Sequence, residues 1–227
     1  MAVLALMLSS VGLFAQTADA EYSAPRFRIA VNGGFGFRTG KLKSVGSPNV
    51  DKHNQKLMNG FFGNVEASWF TAYDLGFGMK YSLLNSNASD YLPLSIFGLS
   101  GDGDVTEHVM VSFIGPIVSA RHHFDNYRWA FYTHFGMGYL GYSDHASVAL
   151  TPIKITGGTF GLTAAIALDF RLKNNLYVGA GIDSVMGTLR SYNVTARGVT
   201  VHQELDKDSY ENLGHMAFTI GLRYYIF

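Results

Sequence analysis

Apolar and polar side chains alternate along eight separate runs of this chain, each roughly 10 to 16 residues long. Alternation with period two belongs to a β-strand that has one apolar and one polar face. Every run carries the apolar face, yet the opposite face is too polar and too glycine-rich for a second sheet to pack on it. A sheet closed on itself in lipid resolves the conflict. The apolar face turns outward, the polar face turns inward, and no backbone edge is left unpaired. The expected fold is all-β: an eight-stranded antiparallel transmembrane up-and-down β-barrel.

The runs lie near 26–39, 60–70, 75–84, 108–124, 128–141, 158–172, 176–189 and 213–227. In the first, Phe27, Ile29, Val31, Phe35 and Phe37 share one face, against Arg28, Asn32 and Arg38. The second sets Phe61, Val65, Ala67 and Trp69 against Asn64, Glu66 and Ser68, and the third sets Phe77, Met79 and Tyr81 against Gly78, Lys80 and Ser82. The fourth run is ambiguous. Val109, Val111, Phe113 and Ile117 suit the outer face, which puts Met110 and Ile114 inside, and Pro116 predicts a bulge. The last four runs turn His134, Asp169, Asp183 and Arg223 inward.

The connections alternate short and long. Ala72-Tyr73-Asp74, Asp125-Asn126-Tyr127 and Lys173-Asn174-Asn175 have turn chemistry, whereas long loops are expected near 40–59, 85–107, 142–157 and 190–212. Short periplasmic turns and long extracellular loops are the rule for membrane barrels. Trp69, Trp129 and Phe170 sit beside the short turns and suit an interfacial aromatic belt.

In this arrangement the chain resembles the small eight-stranded outer-membrane barrels of Gram-negative bacteria, of the OmpA, OmpX and OmpW type. The resemblance is one of architecture and covers residues 21–227. It implies outer-membrane lipid as surroundings, a monomer, and recognition by the barrel-assembly machinery through a terminal strand ending at Phe227. Phe227 is out of phase with the lipid-facing Ile226 and Tyr224 rows, a departure from the usual pattern.

Composition agrees with a membrane barrel. Of 227 residues only 15% are charged, and 26 are glycine. A net charge of zero gives no reason to expect a nucleic-acid partner. There is no cysteine, hence no disulfide framework or zinc–thiolate site, and no cofactor is expected. Residues 1–20 read as a signal peptide: an apolar stretch from Ala2 to Ala15 and small residues at Ala18-Asp19-Ala20, although the usual basic start is missing. The barrel domain then spans 21–227.

An eight-stranded barrel is narrow enough for side chains to fill it. Glu66, Lys80, His134, Asp183 and Arg223 are expected to form a polar network in the lumen, with Glu66 and Lys80 as a direct cross-strand ion pair. Inward Gly34, Gly36, Gly136, Gly138 and Gly161 suggest a shallow cup at the extracellular end. Loop one is basic through Lys41, Lys43, Lys52 and Lys56, and loop two is acidic through Asp90, Asp102, Asp104 and Glu107. Gly101-Asp102-Gly103-Asp104 has oxygen ligands but not the spacing of a calcium loop, so no metal is assigned. The segment 91–99 is unusually apolar for a loop.

His145-Ala146-Ser147 resembles the His-x-Ser of outer-membrane lipid A deacylases, but has no following Asn and no evident acid partner. No catalytic residue is assigned. The expected function is a non-enzymatic barrel with a structural or surface-interaction role through its loops. The alternatives are passage of a small apolar molecule through the barrel mouth, as in OmpW, and lipid A modification.

Overall fold

The computed structural model describes residues 25–40, 47–71, 74–97, 100–149 and 151–226. The signal segment, Lys41, Lys43, Ala72, Tyr73 and Phe227 lie outside them.

Among the described residues, eleven strands and one α-helix are formed: β1 (Phe27–Arg38), α1 (Pro48–Leu57), β2 (Asn59–Phe70), β3 (Leu75–Pro93), β4 (Asp102–Phe124), β5 (Trp129–Val148), β6 (Thr151–Lys173), β7 (Leu176–Leu189), β8 (Ser191–Ala196), β9 (Val199–Glu204), β10 (Glu211–Asn212) and β11 (His215–Ile226). Strands β1 to β7 pair in sequence, β11 pairs with β7, and β1 pairs with β11, all antiparallel. The sheet is therefore a closed ring of eight. Tight turns with left-handed residues at Asp125, Asn126, Tyr127 and Asn174 join the strands at one end.

The outer wall is apolar between two aromatic rims. Phe218, Phe35 and Phe61 stand side by side across three strands, and Tyr139 pairs with Phe160. At the other end Trp129 packs on Phe170, with ring centroids 4.7 Å apart, and Trp69 pairs with Phe27. From Phe160 to Phe170 on β6, a rise of ~3.3 Å per residue and a tilt of ~40° give a band about 25 Å tall. That matches the hydrocarbon band of an outer-membrane barrel, and Trp69, Trp129 and Phe170 lie at its turn-side rim.

Strand β4 faces the opposite way from the sequence reading. Val109, Val111, Phe113 and Ile117 are buried in the lumen, while Ile114 and Val118 are exposed on the wall. Register decides this, because directly paired residues share a face. Ile114 pairs with Tyr81 and Val118 with Phe77, both lipid-facing. Pro116 makes no bulge: it faces Met79 in unbroken register, and only the rungs of Gly115 and Pro116 toward β5 are missing.

Three of the four expected long loops are largely β-strand. The hairpins β3–β4 and β5–β6 run on well past the aromatic rim, and the β8–β9 hairpin adds to the upper part of β6. Together they form an extracellular sheet. Helix α1, from the first loop, packs on β3 with Val50, His53 and Leu57 buried. The apolar segment after Ser89 joins this cap: Leu92 and Leu94 bury against Val50, Val105 and Val148.

Candidate functional site

The lumen is filled in three layers. Nearest the short turns, Tyr177, Tyr225 and Ala130 form a buried cluster, with the His123 ring against Tyr127 and Tyr225. Arg121 closes the same end by donating to Asp74 at 2.8 Å while lying over the Phe70 ring.

The middle layer is a charge network. Arg28 donates to Glu66 at 3.1 Å and to Asp169 at 3.1 Å. Arg223 pairs with the other oxygen of Asp169 at 2.8 Å, and the Tyr225 hydroxyl donates to Asp169 at 2.8 Å. Lys80 pairs with Asp183 and donates to Thr163 at 3.0 Å and to His134 Nε2 at 3.2 Å. Asn64 donates to Asp183 at 3.0 Å. His134 Nδ1 faces Glu66 at 3.7 Å, so a neutral imidazole with its proton on Nδ1 suits both neighbours. Arg28, Lys80 and Arg223 thus balance Glu66, Asp169 and Asp183.

Glu66, Lys80, His134, Asp183 and Arg223 are accordingly brought into one connected layer. The partners differ from the expected pair. Glu66 and Lys80 do face each other in register, but Glu66 takes Arg28 and Lys80 reaches across the lumen to Asp183. Arg28, Asp169 and Tyr225 complete the network. Their inward parity was readable in the sequence, whereas their reach across the barrel was not. Gly179 is part of the design, since a Cβ there would collide with the Asp169 carboxylate.

Donor atoms of Glu66, His134 and Asp183 lie within 4.8 Å of one another, close enough to hold a metal ion. The Lys80 ammonium already supplies the positive charge there and bonds two of the three. A void of about 10 Å³ beside Asn32, Asn64 and Thr219 has room for no more than about one water.

The upper layer is apolar. Phe62, Leu84, Val111, Phe113, Leu140 and Val185 are among the residues of one buried cluster. Among the described residues no extracellular cup is left: the space over Gly36 is taken by Leu84 and Phe62, and that over Gly161 by Leu140 and Phe113. Gly36 and Gly161 are sockets for the plug.

Above the plug, α1 is pinned by charge. His53 Nδ1 lies 2.9 Å from Asp90 and its Nε2 3.7 Å from Glu107, and Lys56 also pairs with Asp90. The Lys56 hydrogen bond holds the Asp90 carboxyl below its usual range, while burial pushes Glu107 up despite His53. Burial also pushes Asp144 up to about 7, with Glu107 adding to the rise.

On the outer side of the extracellular sheet is an open cleft of about 380 Å³. His145 and Ser147 line it with Thr106, Lys154, Thr195 and Arg197. Among the described residues no carboxylate lines the cleft to orient His145, as a histidine–serine pair would require.

Comparison with solved structures gives the same architecture. A major outer-membrane protein of Thermus thermophilus superposes with a TM-score of 0.56 at 12% identity, over 88% of this chain and 99% of that one. This chain has the fold of the small outer-membrane β-barrels. Neisserial surface protein A gives 0.52 at 12% identity, over 89% of this chain and 99% of the other. The outer-membrane protein OprG of Pseudomonas aeruginosa gives 0.51 at 11%, over 92% and 99%. No family model and no curated protein matches the sequence.

Proposed function

We propose that this outer-membrane barrel is a non-enzymatic, non-conducting scaffold whose working surface is its folded extracellular sheet. The observation that carries the reading is the filled lumen: an aromatic floor, a balanced charge layer and a packed apolar plug in series. An ion entering the charge layer from outside would have to cross the apolar layer unsolvated, which is prohibitive without rearrangement. Passage of an apolar molecule through the mouth is disfavoured by the same plug. Lipid A deacylation is disfavoured by the missing acid beside His145. On this reading the partners are outer-membrane lipid along the 25 Å band and, during insertion, the assembly machinery at the strand ending in Phe227. The barrel acts as a monomer.

The test is single-channel recording of the refolded chain in a planar bilayer. Steady closure at both polarities is expected. Discrete openings in the unmodified protein would refute the sealed lumen.

A further inference from the structure

A row of basic and hydroxyl side chains without acids runs through the outer cleft, which His145, Lys154 and Thr195 line. His108, His145, Lys154, Thr195 and Thr200 are directly paired across β4, β5, β6, β8 and β9. Their side chains share the outward face, with Cβ atoms of neighbours about 5 Å apart. Arg197, in the β8–β9 turn, adds a second permanent charge to the lining. Two cations held close together repel each other unless an anion lies between them. Yet among the described residues neither Lys154 nor Arg197 has an ion-pair partner, although acids elsewhere on the cap are paired. The other polar groups of the lining, Thr106, Ser147 and Thr195, are hydroxyls that donate as readily as they accept. The turn itself depends on Gly198, whose φ is +79°.

Height identifies the occupant. Lys154 is six residues beyond Phe160, the last large apolar residue facing lipid on β6. At a ~3.3 Å rise and ~40° tilt, that is about 15 Å above the aromatic rim, on the outer side of the wall. In an outer membrane this zone is filled by the anionic sugars of the neighbouring lipid, not by acyl chains and not by open medium.

We propose that the cleft binds the phosphorylated or carboxylated core sugars of lipopolysaccharide in its own leaflet, with Lys154 and Arg197 as anion ligands and the threonine and serine hydroxyls as sugar donors. The inference deepens the scaffold reading, because it gives the extracellular sheet its ligand.

The test uses the full chain in detergent and native mass spectrometry. Lipopolysaccharide with a phosphorylated core is titrated against lipid A lacking the core, and against soluble dextran sulfate. The core-bearing lipid should bind at least about tenfold more tightly than lipid A, as expected for one or more charge-assisted hydrogen bonds. Lys154→Gln with Arg197→Gln should abolish that difference. Lys52→Gln with Lys207→Gln, which removes the same charge from exposed sites elsewhere on the cap, should preserve it. Lys154→Arg with Arg197→Lys should also keep it. Equal binding of core-bearing lipid and lipid A by the unmodified protein would overturn the proposal. So would equal effects of the two glutamine pairs, which would mean diffuse attraction. Cleft-dependent binding of dextran sulfate without core-lipid binding would overturn the choice of occupant in favour of a soluble polyanion. Conductance of the same preparations separates the two readings: a pore refutes the sealed scaffold whatever the cleft binds.

Discussion

Replacing Lys80 with methionine keeps the side-chain volume and removes the charge. Lys80 is 1% exposed, and its ammonium serves Asp183, Thr163 and His134 at once. Without it Asp183 keeps only the Asn64 amide as a donor and becomes a buried charge without a counter-ion. Breaking a buried pair from one side costs about 3–5 kcal/mol. Removing both charges costs far less, because the desolvation of each is relieved together. Lys80→Met with Asp183→Asn should therefore recover all but ~1–2 kcal/mol, the residue being lost hydrogen bonds to Thr163 and His134. Lys80→Met with Glu66→Gln should recover nothing and should cost more still, since it also takes Glu66 from Arg28. The assay is a denaturant midpoint for the barrel in lipid vesicles, followed by tryptophan fluorescence, with Trp69 and Trp129 both at the turn-side rim. If Glu66→Gln rescues Lys80→Met as well as Asp183→Asn does, the cross-lumen assignment is wrong. A Lys80→Met barrel as stable as the unmodified one would refute the whole network as a stability element.

Leu84→Ala, in the plug, should cost about 2–4 kcal/mol by leaving a cavity at a residue 1% exposed, while the barrel stays closed in a bilayer because the charge layer beneath is untouched. Loss of stability with channel openings would mean that the plug alone is the seal. Asp144, raised to about 7 in the folded cap by burial, contributes stability that is complete below pH ~4 and lost as pH rises toward 7. Asp144→Asn should remove that fall, so its denaturation midpoint at pH 8 should exceed that of the unmodified chain, whereas at pH 4 the two should be close. Asp90, held low by Lys56, works in the opposite sense and loses its contribution as pH drops below its usual range, so acid and base limbs are separable by mutation.

The period-two pattern was enough to give the closed barrel and the facing of seven barrel strands, because lipid outside and a filled lumen inside demand opposite chemistry at adjacent residues. It failed at β4 for a physical reason. The lumen changes from charged to apolar about halfway up, so Val109, Val111 and Phe113 face an apolar interior while Ile114 faces lipid, and hydrophobicity ceases to distinguish the two sides. The reading of a cup above the inward glycines failed for the same reason, since large plug side chains fill the space at Gly36 and Gly161.

On seven of the eight barrel strands the sequence by itself settled which residues enter the lumen, and it placed the turn-side aromatic rim, since parity along a strand is a local property of the backbone. Tertiary structure alone decided who meets whom. Lys80 and Asp183 are 103 residues apart and join only because closing the ring sets their strands across a narrow lumen. The row from His108 to Thr200 likewise arises only when the β8–β9 hairpin docks on β6. Pairing across a barrel and register between distant strands depend on the closed geometry, which no single stretch of chain encodes.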